Sequence, residues 1–252
     1  MNITSITHRR NDRWTRPATR RVATAAVLAA LTITACGSDD DSAGSDVELS
    51  AAACDAYAAI GAAMFGDPST MPDSLEALHA EAPAELHEAI GTYGDALQAS
   101  FDGDEEAMSS EEFVAADREI GAAVFDSCET DATLDVTGID FAFEGIPDEV
   151  DSGRVAIRFT NETESAEAHE MFVMQRAEGV DESVTELLDL PQEELFSKVI
   201  PTAVAYADDE GGVNVALVDL APGEYIAICM IPTTTDGAPH ATHGMVTEFT
   251  VA

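Results

Sequence analysis

The period of the hydrophobic pattern changes once along this chain, close to residue 130. Before that point apolar residues recur at helical spacing, so that Cys54 and Tyr57 fall on one face of a helix. After it, stretches such as "GRVAIRF" alternate apolar and polar residues. A period near 3.6 indicates amphipathic helices, and a period near 2 indicates half-buried strands. We therefore expect an α+β multidomain fold, with a helical bundle over 47–130 followed by a β-sandwich domain over 131–252.

The first block is predicted to form three or four helices. Capping-box patterns at Asp73 ("DSLE") and Ser109 ("SSEE") each predict the start of a helix. Cys54 and Cys128 lie on the apolar faces of the first and last helices, which predicts a disulfide between them. Closing so long a loop is expected to stabilise the bundle by roughly 4 to 5 kcal/mol in the chain-entropy model.

The second block is punctuated by Gly and Pro between short alternating segments, as strands and turns are. It predicts a β-sandwich of about seven strands. The segment "DESVTELLDLPQEELFSKV" interrupts the alternation and predicts one or two short helices inserted in the β framework.

The N-terminus has the features of an export signal. Residues 1–21 carry six arginines, and a short apolar stretch and the run "LTITACGS" follow. This run resembles the bacterial lipobox, which implies that 1–35 is a lipoprotein signal peptide and that Cys36 is lipidated after cleavage. The alternative is an ordinary signal peptide in which Cys36 is incidental. Residues 36–46 are polar and are expected to form a flexible linker, so that the body is anchored outside the cytoplasm by lipid on Cys36.

Charge limits the partners. Removing 1–35 leaves five basic and 48 acidic residues, for a formal charge of −43. Such a surface repels nucleic acid and anionic headgroups, so we expect no polyanionic partner. It would suit a basic protein partner, although a generic acidic surface is an equally good explanation.

One loop near the C-terminus, "CMIPTTTDGAPHATHGM", contains several donors that bind soft metals. If Cys36 carries lipid and Cys54 pairs with Cys128, Cys229 is left as an odd thiol in an exported protein, and bound metal is one explanation. The candidate metal ligands are His169, Cys229, His240 and Met245. Each donor also has a simpler explanation: a surface histidine, a small buried hydrophobic residue, or a core methionine. Three other histidines are interpreted as non-ligands: His79, His87 and His243.

These four donors and their order resemble the cupredoxins, the blue copper family of plastocyanin and azurin. In that family a histidine follows an Asn-containing loop at a strand end, here "FTNETESAEAHE", and a Cys, His and Met cluster follows near the C-terminus. Four residues separate His240 from Met245, as in plastocyanin. The resemblance covers roughly 134–252. It implies a cupredoxin-like Greek-key sandwich with copper as the cofactor.

Two positions depart from the small members of the family. Ten residues separate Cys229 from His240, where small electron carriers have only a few. Glu170 follows His169, where plastocyanin and azurin have an Asn that helps to pin the cysteine loop.

The expected function is that of a membrane-anchored type 1 copper protein that exchanges single electrons with a membrane-associated or basic redox protein. The alternatives are a copper carrier with the same ligands, and a metal-free cupredoxin-like interaction lipoprotein. We do not expect an enzyme, because the sequence contains no G-x-S-x-G elbow, HExxH helix or phosphate-binding loop.

Overall fold

A computed structural model describes residues 47–104, 106–165, 167–208 and 211–252. The predicted signal peptide, Cys36 and the linker all lie outside these residues. Within the described part, none of the helices combines the length and the apolar character that a bilayer crossing requires.

The N-terminal half is helical, as predicted. Four helices follow one another: α1 (Ala51–Phe65), α2 (Met71–Glu81), α3 (His87–Phe101) and α4 (Glu111–Ser127). Short 3₁₀ turns lead into the last three of them, at Pro68–Thr70, Ala84–Leu86 and Ala107–Ser109.

The predicted helix starts were displaced by one or two residues. Helix α2 begins at Met71, before the expected cap at Asp73, because Pro72 fits the first turn and leaves Asp73 inside it. Helix α4 is capped by Ser110 rather than Ser109, and the Ser110 side chain accepts a hydrogen bond from the Phe113 amide.

The predicted disulfide is confirmed. Cys54 and Cys128 are joined, with Cα atoms 5.7 Å apart and a sequence separation of 74 residues. The bond connects α1 to the residue that ends α4. It therefore ties together the first and last helices of the N-terminal half.

The C-terminal half is a sandwich of two sheets, so the predicted fold class is confirmed. Its described part has nine strands, two more than expected, because two very short strands lie at sheet edges. The strands are β1 (Ala132–Ile139), β2 (Ala142–Glu144), β3 (Glu149–Val150), β4 (Gly153–Asn161), β5 (His169–Arg176), β6 (Val199–Ala207), β7 (Val213–Leu220), β8 (Gly223–Ile228) and β9 (Val246–Val251).

The four-stranded sheet has the order β2-β1-β4-β7, and the five-stranded sheet has the order β3-β9-β8-β5-β6. Most pairs are antiparallel, while β1 with β4 and β3 with β9 are parallel. The inner faces meet in one core, to which β4 contributes Val155, Ile157 and Phe159 and β5 contributes Met171 and Val173. The apolar residues of the alternating pattern predicted for β4 are therefore the ones that fill this core.

Both outer faces carry helices. The four N-terminal helices share one buried cluster with Ala156, Val215 and Leu217, which lie on the outer face of the four-stranded sheet. Tyr57 donates a buried hydrogen bond of 2.8 Å to the Val215 carbonyl. Two short helices, α5 (Val184–Leu188) and α6 (Gln192–Lys198), pack on the five-stranded sheet. The helical half thus covers apolar sheet surface that would otherwise face water.

Candidate metal centre

His169 is positioned by the end of β4. The side chain of Asn161 is fully buried, and its amide donates hydrogen bonds to the carbonyls of Glu167 (2.9 Å) and Ala207 (3.3 Å). Its carbonyl oxygen accepts one from the Thr163 amide at 3.1 Å. These bonds hold the loop that precedes β5, so that His169 begins that strand with its ring turned into the protein, fully buried.

Cys229 directly follows β8 and is the one free cysteine among the described residues. Its amide donates to the Met245 carbonyl at 3.2 Å, and its carbonyl accepts from the Ala241 amide at 2.9 Å. The His240 amide donates to the Ile231 carbonyl, also at 2.9 Å. The cysteine segment and the histidine segment are therefore bonded together through their backbones.

The long Cys229–His240 loop closes on itself. Pro232 and Pro239 form a β-bridge, and the Thr233 amide donates to the Ala238 carbonyl at 2.8 Å. The ten residues between Cys229 and His240 thus form a narrow hairpin whose base brings the two donors together. The extra length does not separate them.

Three of the predicted ligands converge in the interior. Nδ1 of His169 lies 2.9 Å from Nδ1 of His240, and the Cys229 sulfur lies 3.4 Å from the same His240 atom. All the donor atoms of the trio lie within 4.8 Å of one another, and each side chain is fully buried. Within the described part of the chain this is the one group of three or more His, Cys, Asp or Glu residues compact enough to hold a metal ion.

Met245, the fourth predicted ligand, closes the same loop. Its amide donates to the His240 carbonyl at 3.1 Å, and its side chain is fully buried in the core that also contains Cys229. Its Cε lies against β1, where a Cβ on Gly138 would approach it to 3.3 Å. The ligand roles of all four residues remain predictions, and the donor set they present is the one type 1 copper sites use.

Burial determines the protonation of the donors. Burial, assisted by the neighbouring imidazole of His240, lowers the pKa of His169 to about 4. Burial also raises the pKa of the Cys229 thiol to about 11. At neutral pH His169 is therefore neutral and able to bind a metal, whereas the thiol keeps its proton until a metal displaces it.

Glu170 pins the cysteine loop. Its amide donates to the Cys229 sulfur at 3.4 Å, and its carboxylate accepts a hydrogen bond of 3.0 Å from the Met230 amide. Burial raises the pKa of Glu170 above its usual range. Glu170 stands where plastocyanin and azurin have Asn. It still connects the start of β5 to the cysteine loop, and its carboxylate is the acceptor.

Sequence reasoning missed Glu167, which lies beside the site. Its Oε2 is 3.0 Å from Nε2 of His240, at an angle poorly aligned for a hydrogen bond. Its Oε1 accepts hydrogen bonds from the amide and the hydroxyl of Thr234. Those bonds, the hydroxyl first, hold the pKa of Glu167 below its usual range. In a chain with 49 acidic residues, nothing in the sequence distinguishes this one.

Phe141 covers His240 from the β1–β2 turn. The two rings meet edge to face with centroids 5.3 Å apart, and the centroid of the His243 ring lies 5.1 Å from that of Phe141. Phe141 has a φ of 58°, unusual for a bulky residue and typical of positions held by their surroundings. His243 itself is paired with Asp236 at 3.3 Å and is partly exposed.

The other two histidines among the described residues belong to the helical half. The rings of His79 and His87 stack with centroids 4.1 Å apart, although the sequence indicated no shared helix face. They come together because α2 and α3 turn back on each other through the short segment at Pro83. No third donor joins them within the described residues.

Comparison with known proteins finds similarity to solved structures alone. No protein-family model and no curated protein matches the chain. One similar structure is dithionite-reduced auracyanin from the photosynthetic bacterium Roseiflexus castenholzii, with 22% identity over 49% of this chain and 99% of that chain, at a TM-score of 0.34. Another is auracyanin A, a "blue" copper protein from Chloroflexus aurantiacus, with 19% identity over 48% of this chain and 98% of that chain, at a TM-score of 0.30. A multicopper oxidase is also similar, with 12% identity over 49% of this chain and 45% of that chain, at a TM-score of 0.29.

Proposed function

We propose that this chain is a type 1 copper protein, anchored by lipid outside the cytoplasm, that transfers single electrons. The observation that carries the proposal is the convergence of His169, Cys229 and His240 in the interior, with all donor atoms within 4.8 Å of one another. Two imidazoles and a thiol rarely gather in an apolar core without a ligand that uses them.

The donor set suits copper in both oxidation states. Two imidazoles and a thiolate with a weak thioether ligand are the set found in blue copper electron-transfer sites. Bound copper would supply a one-electron couple. His169, Cys229 and His240 would hold it through Nδ1, Sγ and Nδ1, and Met245 would provide the weak fourth ligand.

The surroundings support electron transfer rather than catalysis. The three donors have no accessible surface, so a substrate would find no open position beside them. Backbone hydrogen bonds tie the Cys229 segment to both His240 and Met245, directly or through their neighbours. A site held this firmly changes little between oxidation states, which favours rapid electron exchange.

Location and partner belong to the same proposal. The run that resembles a lipobox supports lipidation at Cys36, with 36–46 as the tether. A formal charge of −43 on the chain that follows 1–35 favours a basic redox protein as the partner, attracted over distance.

An optical spectrum tests the proposal. Residues 37–252 are loaded with Cu(II) and desalted, beside a Cys229→Ser variant and a His243→Gln variant as the matched control. We expect an intense visible thiolate-to-copper band in the wild type and the control, and no such band in Cys229→Ser.

The two alternative functions give different results. Tight binding of Cu(I) with no intense band in the presence of Cu(II) would indicate a copper carrier. Failure to retain copper in either oxidation state would contradict the proposal and leave a metal-free interaction lipoprotein.

A further inference from the structure

The outer nitrogen of His240 faces a carboxylate rather than solvent. His240 is fully buried, and Oε2 of Glu167 lies 3.0 Å from its Nε2. Glu167 is itself largely enclosed, with 9% of its side chain exposed. We infer that Glu167 is a positioning residue that holds His240 in the Nε2–H form and whose charge lowers the reduction potential of copper bound at Nδ1. This inference rests on the proposed function.

The carboxylate is held in place from the opposite side. Its other oxygen accepts a hydrogen bond of 2.7 Å from the Thr234 amide and a second one from the Thr234 hydroxyl. Thr234 lies in the hairpin between Cys229 and His240, so the long loop supplies the groups that fix Glu167. A carboxylate with two donors on one oxygen has little freedom to turn away from the imidazole.

The consequence for the imidazole is a choice of tautomer. Of the two ring nitrogens, the one that faces an anion retains the proton, and the other is left as an acceptor. A proton on Nε2 of His240 leaves its Nδ1 free, and this is the atom that faces His169 and Cys229. The contact is poorly aligned for a hydrogen bond, so the preference for this tautomer comes from the attraction between the carboxylate charge and the proton on the nearby Nε2.

The consequence for copper is electrostatic. Oxidised copper has one more positive charge than reduced copper, and a nearby anion in a poorly solvated site stabilises the oxidised state more. Among the described residues, the side chain that pairs with the free oxygen of Glu167 is His240 itself. No described basic side chain pairs with Glu167 to offset its charge.

The test compares two charge-neutralising variants in one loop. Glu167→Gln removes the charge beside His240, and Glu164→Gln removes the same charge from an exposed position three residues earlier. Potentiometric titration of the copper-loaded proteins at one pH and low ionic strength should show a selective effect. We expect Glu167→Gln to favour Cu(I) by about tenfold or more, an upward shift of about 59 mV for a one-electron couple. Equal potentials in the two variants would overturn the electrostatic part of the inference.

A metal-free measurement keeps the positioning role separate from copper binding. Nitrogen-15 NMR of the metal-free wild type and Glu164→Gln should show His240 protonated at Nε2. In Glu167→Ala, which removes the carboxylate beside Nε2, we expect the Nδ1–H form to appear. A wild-type protein with His240 protonated at Nδ1 would overturn the positioning role. If no copper binds at all, the proposed function fails, and the tautomer still decides the role of Glu167 in the metal-free protein.

Discussion

The amide of Glu170 donates a hydrogen bond to the sulfur of Cys229, although the two residues lie 59 positions apart. The same Glu170 accepts a hydrogen bond from the Met230 amide through its carboxylate. One residue at the start of β5 therefore fixes both the candidate thiolate ligand and the backbone that follows it. The position next to His169 couples the two halves of the centre.

Replacing Glu170 with Ala should loosen the cysteine loop. The partly buried Met230 amide would lose its acceptor, and a buried amide left without a partner costs about 1 to 3 kcal/mol. We expect the free energy of unfolding of the metal-free protein to fall by up to that amount, measured by urea denaturation. Glu170→Gln keeps an acceptor oxygen and serves as the control, with a smaller loss. Equal losses in the two variants would show that the bond to Met230 contributes little.

Metal binding should release a proton from Cys229. Because the pKa of this thiol is raised to about 11, it is protonated at pH 7, and a metal that binds the thiolate must displace the proton. His169 contributes no proton at this pH, since its pKa is lowered to about 4. We expect about one proton released per ion, and an affinity that rises about tenfold per pH unit above neutrality.

Calorimetric titration with Zn²⁺, which is redox-inert and binds the same donors, in buffers of different ionisation enthalpy measures this release. The Cys229→Ser variant should release none. A wild-type release close to zero at pH 7 would mean that the thiol is already ionised in the folded protein.

Much of this architecture could be predicted because it is determined by local patterns. The change of period places the helices and strands, since burial on one face requires it. The disulfide could be predicted because Cys54 and Cys128 fall on apolar helix faces. The donors His169, Cys229, His240 and Met245 could be selected because few other residue types bind soft metals. In the structure, three of them meet through their side chains.

The missed features depend on contacts between distant segments. Glu167 and Glu170 are two of many carboxylates in an acidic chain, and only the folded loops show which carboxylates face the centre. The packing of the helices on β4 and β7 is equally hidden, because Ala156, Val215 and Leu217 could as well have faced a partner or solvent. Likewise, a pattern cannot show that a loop of ten residues closes into a hairpin.

Gly138 leaves space for the side chains behind the centre. A Cβ at this position would lie 2.7 Å from Phe159 and 3.3 Å from the end of Met245, both of which are fully buried. Gly138→Ala should therefore destabilise the protein by about 1 to 3 kcal/mol, as overpacking of cores does. In the copper-loaded protein it should also alter the visible spectrum, because Met245 must shift.

Gly91→Ala is the matched control for Gly138→Ala. Gly91 lies on an exposed face of α3 with nothing within 4 Å of an added Cβ, so this change should stabilise the helix by about 0.5 to 1 kcal/mol. Chemical denaturation of both variants separates the two effects. A neutral Gly138→Ala would mean that Phe159 and Met245 can move aside without cost.

Asp117 should make stability depend on pH. It lies on α4, accepts a hydrogen bond from the Asn214 side chain on β7, and its withdrawal from water raises its pKa to about 7. An acid whose pKa is raised in the folded state stabilises the fold fully below its ordinary pKa of 3.8. That contribution is lost as the pH rises towards 7, because the unfolded chain then releases the proton more readily than the folded one.

Denaturation of the wild type and Asp117→Asn across pH 4 to 8 isolates this contribution from that of the other carboxylates. Asparagine cannot ionise and can still bond Asn214, so the variant should lack the decline that Asp117 causes. We expect the stability difference, wild type minus variant, to fall steadily from about pH 4 to about pH 7 and to stay level above that. A difference independent of pH would mean that Asp117 titrates as an ordinary surface carboxylate, and that the contact between α4 and β7 does not shield it from water.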